Sequence, residues 1–218
     1  MTFDYSIITE HAVFLLSGFQ STLLLWGIAV PISIVGSVVL VGMRLSTSHT
    51  IRALTYGMVE TIRNVPMLIQ AFLLFFGLPF WGIALSAMTV GITCLSLYGA
   101  VYLSECLRGG MAALPKGQFS AGMALGLTRT QTLRWVIAPQ LPAYVLPSAA
   151  NTFISLGKQT ALLSVITVPE LTYTASSVVG ETYAPLEVYS AIAVMYWLMS
   201  ECIACGMRWL EARLTVRT

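Results

Sequence analysis

The sequence predicts an all-α polytopic membrane protein with five transmembrane helices. Three observations carry that reading. The 218 residues hold only eleven Lys or Arg and nine Asp or Glu, 9% charged, against about 25% in a soluble domain. Apolar residues make up 57% of the chain, and its mean hydropathy is +0.82. Several uncharged runs are long enough to cross a bilayer, which takes about 20 residues as a helix. Too few charges remain to coat a soluble fold. An ordinary cytosolic enzyme, a disordered chain and a nucleic-acid binder with a broad basic face are therefore excluded.

The elements follow in order. Residues 1–10 carry Asp4 and Glu10 without a base, so no cleavable signal is expected. Residues 12–43 are uncharged and form the first span. Residues 64–104 are also uncharged; as one helix they would run about 60 Å, twice the hydrocarbon thickness. The run must fold back, and Gly77-Leu78-Pro79 with Trp81-Gly82 marks the place. Spans two and three are expected at 55–78 and 84–106. Runs 135–157 and 159–169 are separated by Lys158 alone, and Pro139, Pro142 and Pro147 crowd the start, so the fourth span is expected to begin near Ala143. The fifth is expected at 188–207.

Charge placement orients the bundle. Arg44 and Arg52 follow span one, Arg108, Lys116, Arg129 and Arg134 follow span three, and Arg208, Arg213 and Arg217 follow span five. The N-terminal segment and the 169–187 loop carry only acids: Asp4, Glu10, Glu170, Glu181 and Glu187. The positive-inside rule then places the N-terminus outside and the C-terminus in the cytoplasm.

The basic loop at 108–137 reads as structured. Pro115 suits a first helical turn, Phe119 and Met123 fall on one side at i, i+4, and Gly126 interrupts before a second short helix at 128–135. Periodicity leaves two readings: docking into a partner's groove, or lying on the lipid surface.

Polar residues inside spans are costly and mark pathways or pairs. Ser148, Asn151, Ser155 and Lys158 share one helical face. Lys158 lies about 22 Å along the axis from Ala143. It is read as a grip for a substrate carboxylate, with a structural ion pair or an outward-snorkelling lysine as the alternatives. In span two, Glu60 and Arg63 read as a structural or gating pair, and Asn64 and Gln70 as residues lining the path. Pro66 removes an N–H, freeing a carbonyl near Ile62. Glu105 and Arg108 repeat the i, i+3 pair, and Glu201 reads as structural near Arg208. Cys94, Cys106, Cys202 and Cys205 read as small buried side chains, since the 202–205 pair has no second pair to complete a zinc site. His11 and His49 have no ligand partner at metal spacing, and no catalytic or phosphate-loop pattern is present, so neither a metal nor a cofactor is expected.

The 116–140 segment carries a family resemblance. Lys116-Gly117-Gln118-Phe119-Ser120-Ala121-Gly122-Met123-Ala124-Leu125-Gly126-Leu127, then Val136-Ile137-Ala138-Pro139-Gln140, resembles the cytoplasmic Glu-Ala-Ala loop of ABC importer permeases. Ala121, Gly126 and Pro139 are in register, and Val136 stands at the Ile position. Ser120, Gly122 and Ala138 depart from it. Gly18 to Leu23, Glu60 to Gln70, Glu105 to Gln118, Asn151, and Lys158 to Leu162 resemble further segments of polar amino-acid permeases of the histidine/lysine/arginine/ornithine, arginine and glutamine type.

This resemblance covers about 18–210. It implies a type I ABC importer permease fold, with 1–17 periplasmic, 108–137 as coupling loop and 211–218 as a cytoplasmic tail. The implied function is ATP-driven import of a basic amino acid or glutamine across the bacterial inner membrane. The implied partners are a second permease subunit, homologous or identical, a cytoplasmic ATPase dimer that holds ATP and Mg, and a periplasmic or lipid-anchored amino-acid-binding protein. Gly117, Gln118, Ser120, Ala121, Gly126 and Pro139 are the implied ATPase-coupling residues, with Gly126 and Pro139 setting turns. Ser120 in place of the family Glu points either to a non-identical partner that supplies the acid or to tolerance in a homodimer. The alternatives are a permease for methionine or a quaternary-ammonium osmolyte, and a stand-alone secondary transporter; the latter predicts an inverted repeat and more intramembrane charge.

Overall fold

The computed structural model describes residues 3–115 and 117–215; Lys116 and Arg217, two of the bases used for orientation, lie outside the described residues. No strand occurs among the described residues. A short α1 (Tyr5–Glu10) is capped by Asp4, whose carboxylate accepts from Ser6 N at 2.9 Å. It leads into α2 (Ala12–Arg44). After Ser48, α3 (His49–Asn64) ends at Val65, and α4 (Met67–Phe72) runs on through a π turn (Leu73–Gly77) and a 3-10 turn (Leu78–Trp81). Gly82, at φ +77°, turns the chain toward α5 (Ala87–Ala113). Then come α6 (Gly117–Ala124), α7 (Arg129–Thr132), a π turn (Leu133–Ile137), α8 (Ala138–Gln159) and a 3-10 segment (Thr160–Ile166). Helices α9 (Leu171–Thr182) and α10 (Pro185–Thr215) close the fold.

Three helices are each long and apolar enough to cross a bilayer: Ala12–Arg44, Ala87–Ala113 and Pro185–Leu214. Two bent pairs complete the expected five if each counts as one span. His49–Asn64 meets Met67–Trp81 at 106°, and Arg129–Ile166 meets Leu171–Thr182 at 49°.

Two expectations change. Span two, expected as one run over 55–78, is broken at Pro66. The helix that carries span four begins well before Ala143: Pro139, Pro142 and Pro147 lie inside α8, continuous with α7. Pro139 needs no N–H partner in the first turn, and a spanning helix accommodates proline when neighbouring groups re-satisfy the freed carbonyls. The 169–187 loop is mostly helix α9.

The core forms where α2, α4, α5 and the end of α8 meet, around Leu25, Ala29, Met67, Cys94, Leu156 and Leu163. On α2 the buried residues Leu15, Gly18, Thr22, Leu25, Ala29, Ser33, Ser37 and Leu40 recur every three or four positions, one face of a helix. Gly99 lets α5 approach that face where Ser33 lies, and Trp26 Nε1 ties α2 to α8 by donating to Phe153 O at 2.9 Å.

Candidate functional site

The bend in span two is held by its own polar residues. Pro66 lacks the N–H that would reach the Ile62 carbonyl. Gln70 supplies the missing donor: its Nε2 donates to Ile62 O at 2.9 Å and to Val65 O at 2.8 Å. Asn64 Nδ2 donates to Glu60 O at 2.8 Å and to Glu60 Oε2 at 3.3 Å. The carbonyl freed near Ile62 was legible in the sequence. The structure adds that the amides of Gln70 and Asn64, both read as lining the path, are engaged within the bend.

On α8, Val145, Ala149, Thr152 and Leu156 are buried. Gly110 of α5 sits against Val145, and Cys106 Sγ lies 3.6 Å from Thr152 Oγ1. The flank carrying Ser148, Asn151, Ser155 and Lys158 is turned away from that contact. Ser148, Asn151 and Lys158 are exposed and Ser155 is half-buried. Lys158 makes no ion pair with any described carboxylate.

Charges gather where α2, α3 and α5 meet near the α6 end. Arg44, Arg52, Tyr56, Glu60, Arg63, Glu105 and Arg108 line one cavity of about 480 Å³. Glu60 and Arg63 pair at 3.1 Å, as their spacing predicted. Glu105 holds two arginines: Arg108 Nη2 at 2.7 Å, and Arg44 Nη1 from α2. The sequence reading paired Glu105 with Arg108 alone and used Arg44 only as a topology marker. The Arg44 and Glu105 side chains are 15% and 17% exposed, so this pair is largely withdrawn from solvent.

Helix α3 separates two environments. At 100° per residue, its buried Thr55 and Val59 face the bundle. Arg52, Tyr56, Glu60 and Arg63 follow one flank, and exposed Ile51, Leu54 and Met58 the other. The polar flank opens onto α5, where Tyr98, Tyr102 and Glu105 form a stripe at i, i+4, i+7; the two tyrosine rings lie 4.3 Å apart between centroids.

Glu170 counts among the acids of the expected 169–187 loop. It is fully buried and caps α9, accepting from Thr172 N at 2.9 Å, Tyr173 N at 2.7 Å and Tyr196 OH of α10 at 2.8 Å. An acid two and three residues before the first turn's N–H groups was a readable cap signal; its partner on α10 was not. Glu201 and Arg208 approach only to 3.9 Å.

The 108–137 segment folds as two short helices. Gly126 takes φ +82° and ends α6. Thr128 and Gln131 form a reciprocal capping box at the start of α7. Gly122 packs on Thr132, and Gln140 Nε2 approaches Gln118 Oε1 at 3.4 Å. Gly117, Ser120, Ala121 and Leu125 are exposed; Phe119 turns into an apolar cleft of about 490 Å³ with Met111, Leu114, Leu133 and Ile137. Gly126 makes the expected turn. Pro139 does not, because it lies in the continuous α7–α8 helix.

Cys94 is buried and Cys106 half-buried, but Cys202 and Cys205 are exposed on α10, contrary to the buried reading. That helix spans the apolar layer with one face unpacked, so exposure in the isolated chain needs no polarity. No cluster of three potential metal ligands occurs among the described residues.

Comparison with known proteins gives a consistent result. Residues 33–216 match the family described as binding-protein-dependent transport system inner membrane component. The chain is 32% identical to the probable glutamine ABC transporter permease protein GlnM of Bacillus subtilis, over 97% of this chain and 98% of the relative. It is 34% identical to the probable glutamine permease protein GlnP of the same organism, over 94% and 96%. The fold superposes on a crystal structure of an amino acid ABC transporter with histidines at a TM-score of 0.92, with 31% identity over 98% of this chain and 100% of that one. An inward-facing MetNI methionine ABC transporter shares the fold at a TM-score of 0.76 and 17% identity, over 94% and 98%.

Proposed function

The chain belongs to the family of binding-protein-dependent transport system inner membrane components, and from that premise we propose that it is the permease subunit of an ATP-driven importer for a polar amino acid of the basic or glutamine class. It sits in the bacterial inner membrane with the N-terminus outside and α6 in the cytoplasm. It pairs with a second permease. A separate ATPase dimer binds ATP and Mg and docks on α6, and a separate binding protein delivers the amino acid.

The observation that carries the reading is the open polar flank of α8. A cation beside Asn151 and Ser155, in a spanning helix and without a carboxylate partner among the described residues, fits a carboxylate cargo. Gln70 and Asn64 act on the path indirectly, by holding the bend at Pro66. Glu60–Arg63 and Glu105–Arg108 serve as gating pairs at the α6 end. Gly117, Gln118, Ser120, Ala121 and Gly126 form the ATPase-facing surface.

The test is ATP-dependent uptake by the reconstituted complex with a panel of amino acids. Lys158→Met is expected to lower glutamine or basic amino-acid uptake by at least about tenfold, the order of one lost charge-assisted hydrogen bond, while leaving assembly intact. Unchanged uptake kinetics would remove Lys158 from the pathway.

Exposed Ser120 bears on the partner. Two permease relatives in one organism fit an importer built from two different chains, the second supplying the missing Glu. Active transporter purified with only this permease species would sink that pairing.

A further inference from the structure

The cavity at the α6 end of α2, α3 and α5 holds charges that its internal pairs do not use up. Four arginines face two carboxylates there: Arg44, Arg52, Arg63 and Arg108 against Glu60 and Glu105. Glu105 is shared by Arg44 and Arg108, and Glu60 takes Arg63. Arg52 pairs with no carboxylate among the described residues; its Nη1 donates to the Ser46 carbonyl at 3.2 Å. Arg44 pairs through Nη1, while its Nε and Nη2 are closed off from solvent without a partner among the described residues. Arg52, exposed and outside every ion pair among the described residues, is the surplus charge within reach of the cavity.

The position of the cavity narrows the acceptor. Apolar Ile51, Leu54 and Met58 lie on the opposite flank of α3, so the charged flank is not the lipid-facing one. The stripe of Tyr98, Tyr102 and Glu105 runs from the middle of α5 into this cavity. The ligand is therefore small, water-borne and anionic in part. Its anionic group meets surplus guanidinium, and Glu60, 34% exposed, offers an acceptor for a cation beside it.

We propose that this cavity is an inner resting site for the amino-acid cargo, reading its zwitterionic head group after it leaves the Lys158 flank. The carboxylate engages Arg52 beside Arg63, and the ammonium engages Glu60. This inference rests on the transport reading above. It adds a second site in the same chain, one that reads both charges of the head group and ignores the side chain.

The experiment measures glutamine bound to the purified permease–ATPase complex by equilibrium dialysis up to millimolar concentration, alongside ATP-dependent uptake. Arg52→Gln with Arg63→Gln is expected to remove one glutamine per copy of this chain and to slow uptake about tenfold. Lys158→Met removes a different one, so the two losses add. Arg52→Gln alone, an exposed substitution outside every ion pair, checks the result if the double variant melts lower; it is expected to weaken the same site at an unchanged melting temperature. The glutamine analogue without its amino group should bind this site about tenfold more weakly than glutamine. An unchanged number of bound glutamines in both arginine variants, with normal uptake by the wild type, overturns the inner site alone. Uptake of no amino acid by the wild-type complex overturns the transport reading and the inner site with it.

Discussion

The side-chain amide of Gln70 donates to the Ile62 carbonyl at 2.9 Å, closing the gap that Pro66 leaves in the helix between them. A second bond, to Val65 O at 2.8 Å, comes from the same nitrogen. The 106° bend is thus a hydrogen-bonded corner. Gln70→Leu leaves both carbonyls without that donor and is expected to destabilise the protein by about 1–3 kcal/mol. Pro66→Ala restores a backbone N–H for Ile62 O, so the two changes should be non-additive in a double-mutant cycle read by thermal unfolding. Strict additivity would show that Gln70 does not compensate for the proline.

Glu170 should behave as a buried cap. Glu170→Ala strips an acceptor from Thr172 N, Tyr173 N and Tyr196 OH at once; a loss of about 2 kcal/mol or more is expected. Glu170→Gln keeps one acceptor oxygen and should fall between Ala and wild type. Tyr196→Phe removes the hydroxyl's bonds to Glu170 Oε2 and Thr172 Oγ1 and should cost about 1–2 kcal/mol. Thermal unfolding of the purified complex ranks the three, and an Ala variant as stable as wild type would refute the capping role.

Glycine position separates two otherwise similar substitutions. A methyl group at Gly99 would overlap Ser33 Oγ and crowd Leu156 Cδ1, whereas one at Gly27 meets nothing within 4 Å. Gly99→Ala is expected to cost about 1–3 kcal/mol through overpacking of α2 on α5. Gly27→Ala should be neutral or stabilising by roughly 0.5–1 kcal/mol. Expression level and melting temperature of the two variants test the α2–α5 contact directly.

The loop between α6 and α7 depends on two local devices. Gly126 sits at φ +82°, and Thr128 Oγ1 caps Gln131 N at 3.3 Å. Gly126→Ala and Thr128→Val should each cost about 1 kcal/mol locally, too little to block insertion. Stimulation of the ATPase by cargo should nevertheless fall in both. Normal stimulation would mean that this turn is not part of the coupling surface.

Much of the fold was legible because its signals are local. Uncharged runs marked the spans, Gly77 to Gly82 marked the reversal, and Gly126 marked the end of α6. The Glu60–Arg63 spacing gave the pair that forms. Other assignments failed where a partner lay far along the chain. Glu105 is held by Arg44, 61 positions away, and Glu170 by Tyr196, 26 positions away on another helix. Pro139, Pro142 and Pro147 looked like a broken start, yet a preceding π turn and a spanning environment carry the helix through them. Cys202 and Cys205 have the composition of buried residues, yet both lie exposed on α10.

By itself the sequence determined that this chain spans a membrane, roughly which segments do so, and where the 108–137 segment breaks between two short helices, because hydropathy and backbone geometry act within a few residues. Only the tertiary structure decided which polar groups are already satisfied. Gln70, Asn64 and Glu170 are engaged within the protein, while the exposed Lys158 and Arg52 keep donors to offer. That division depends on distances of about 3 Å between helices, and no local pattern encodes them.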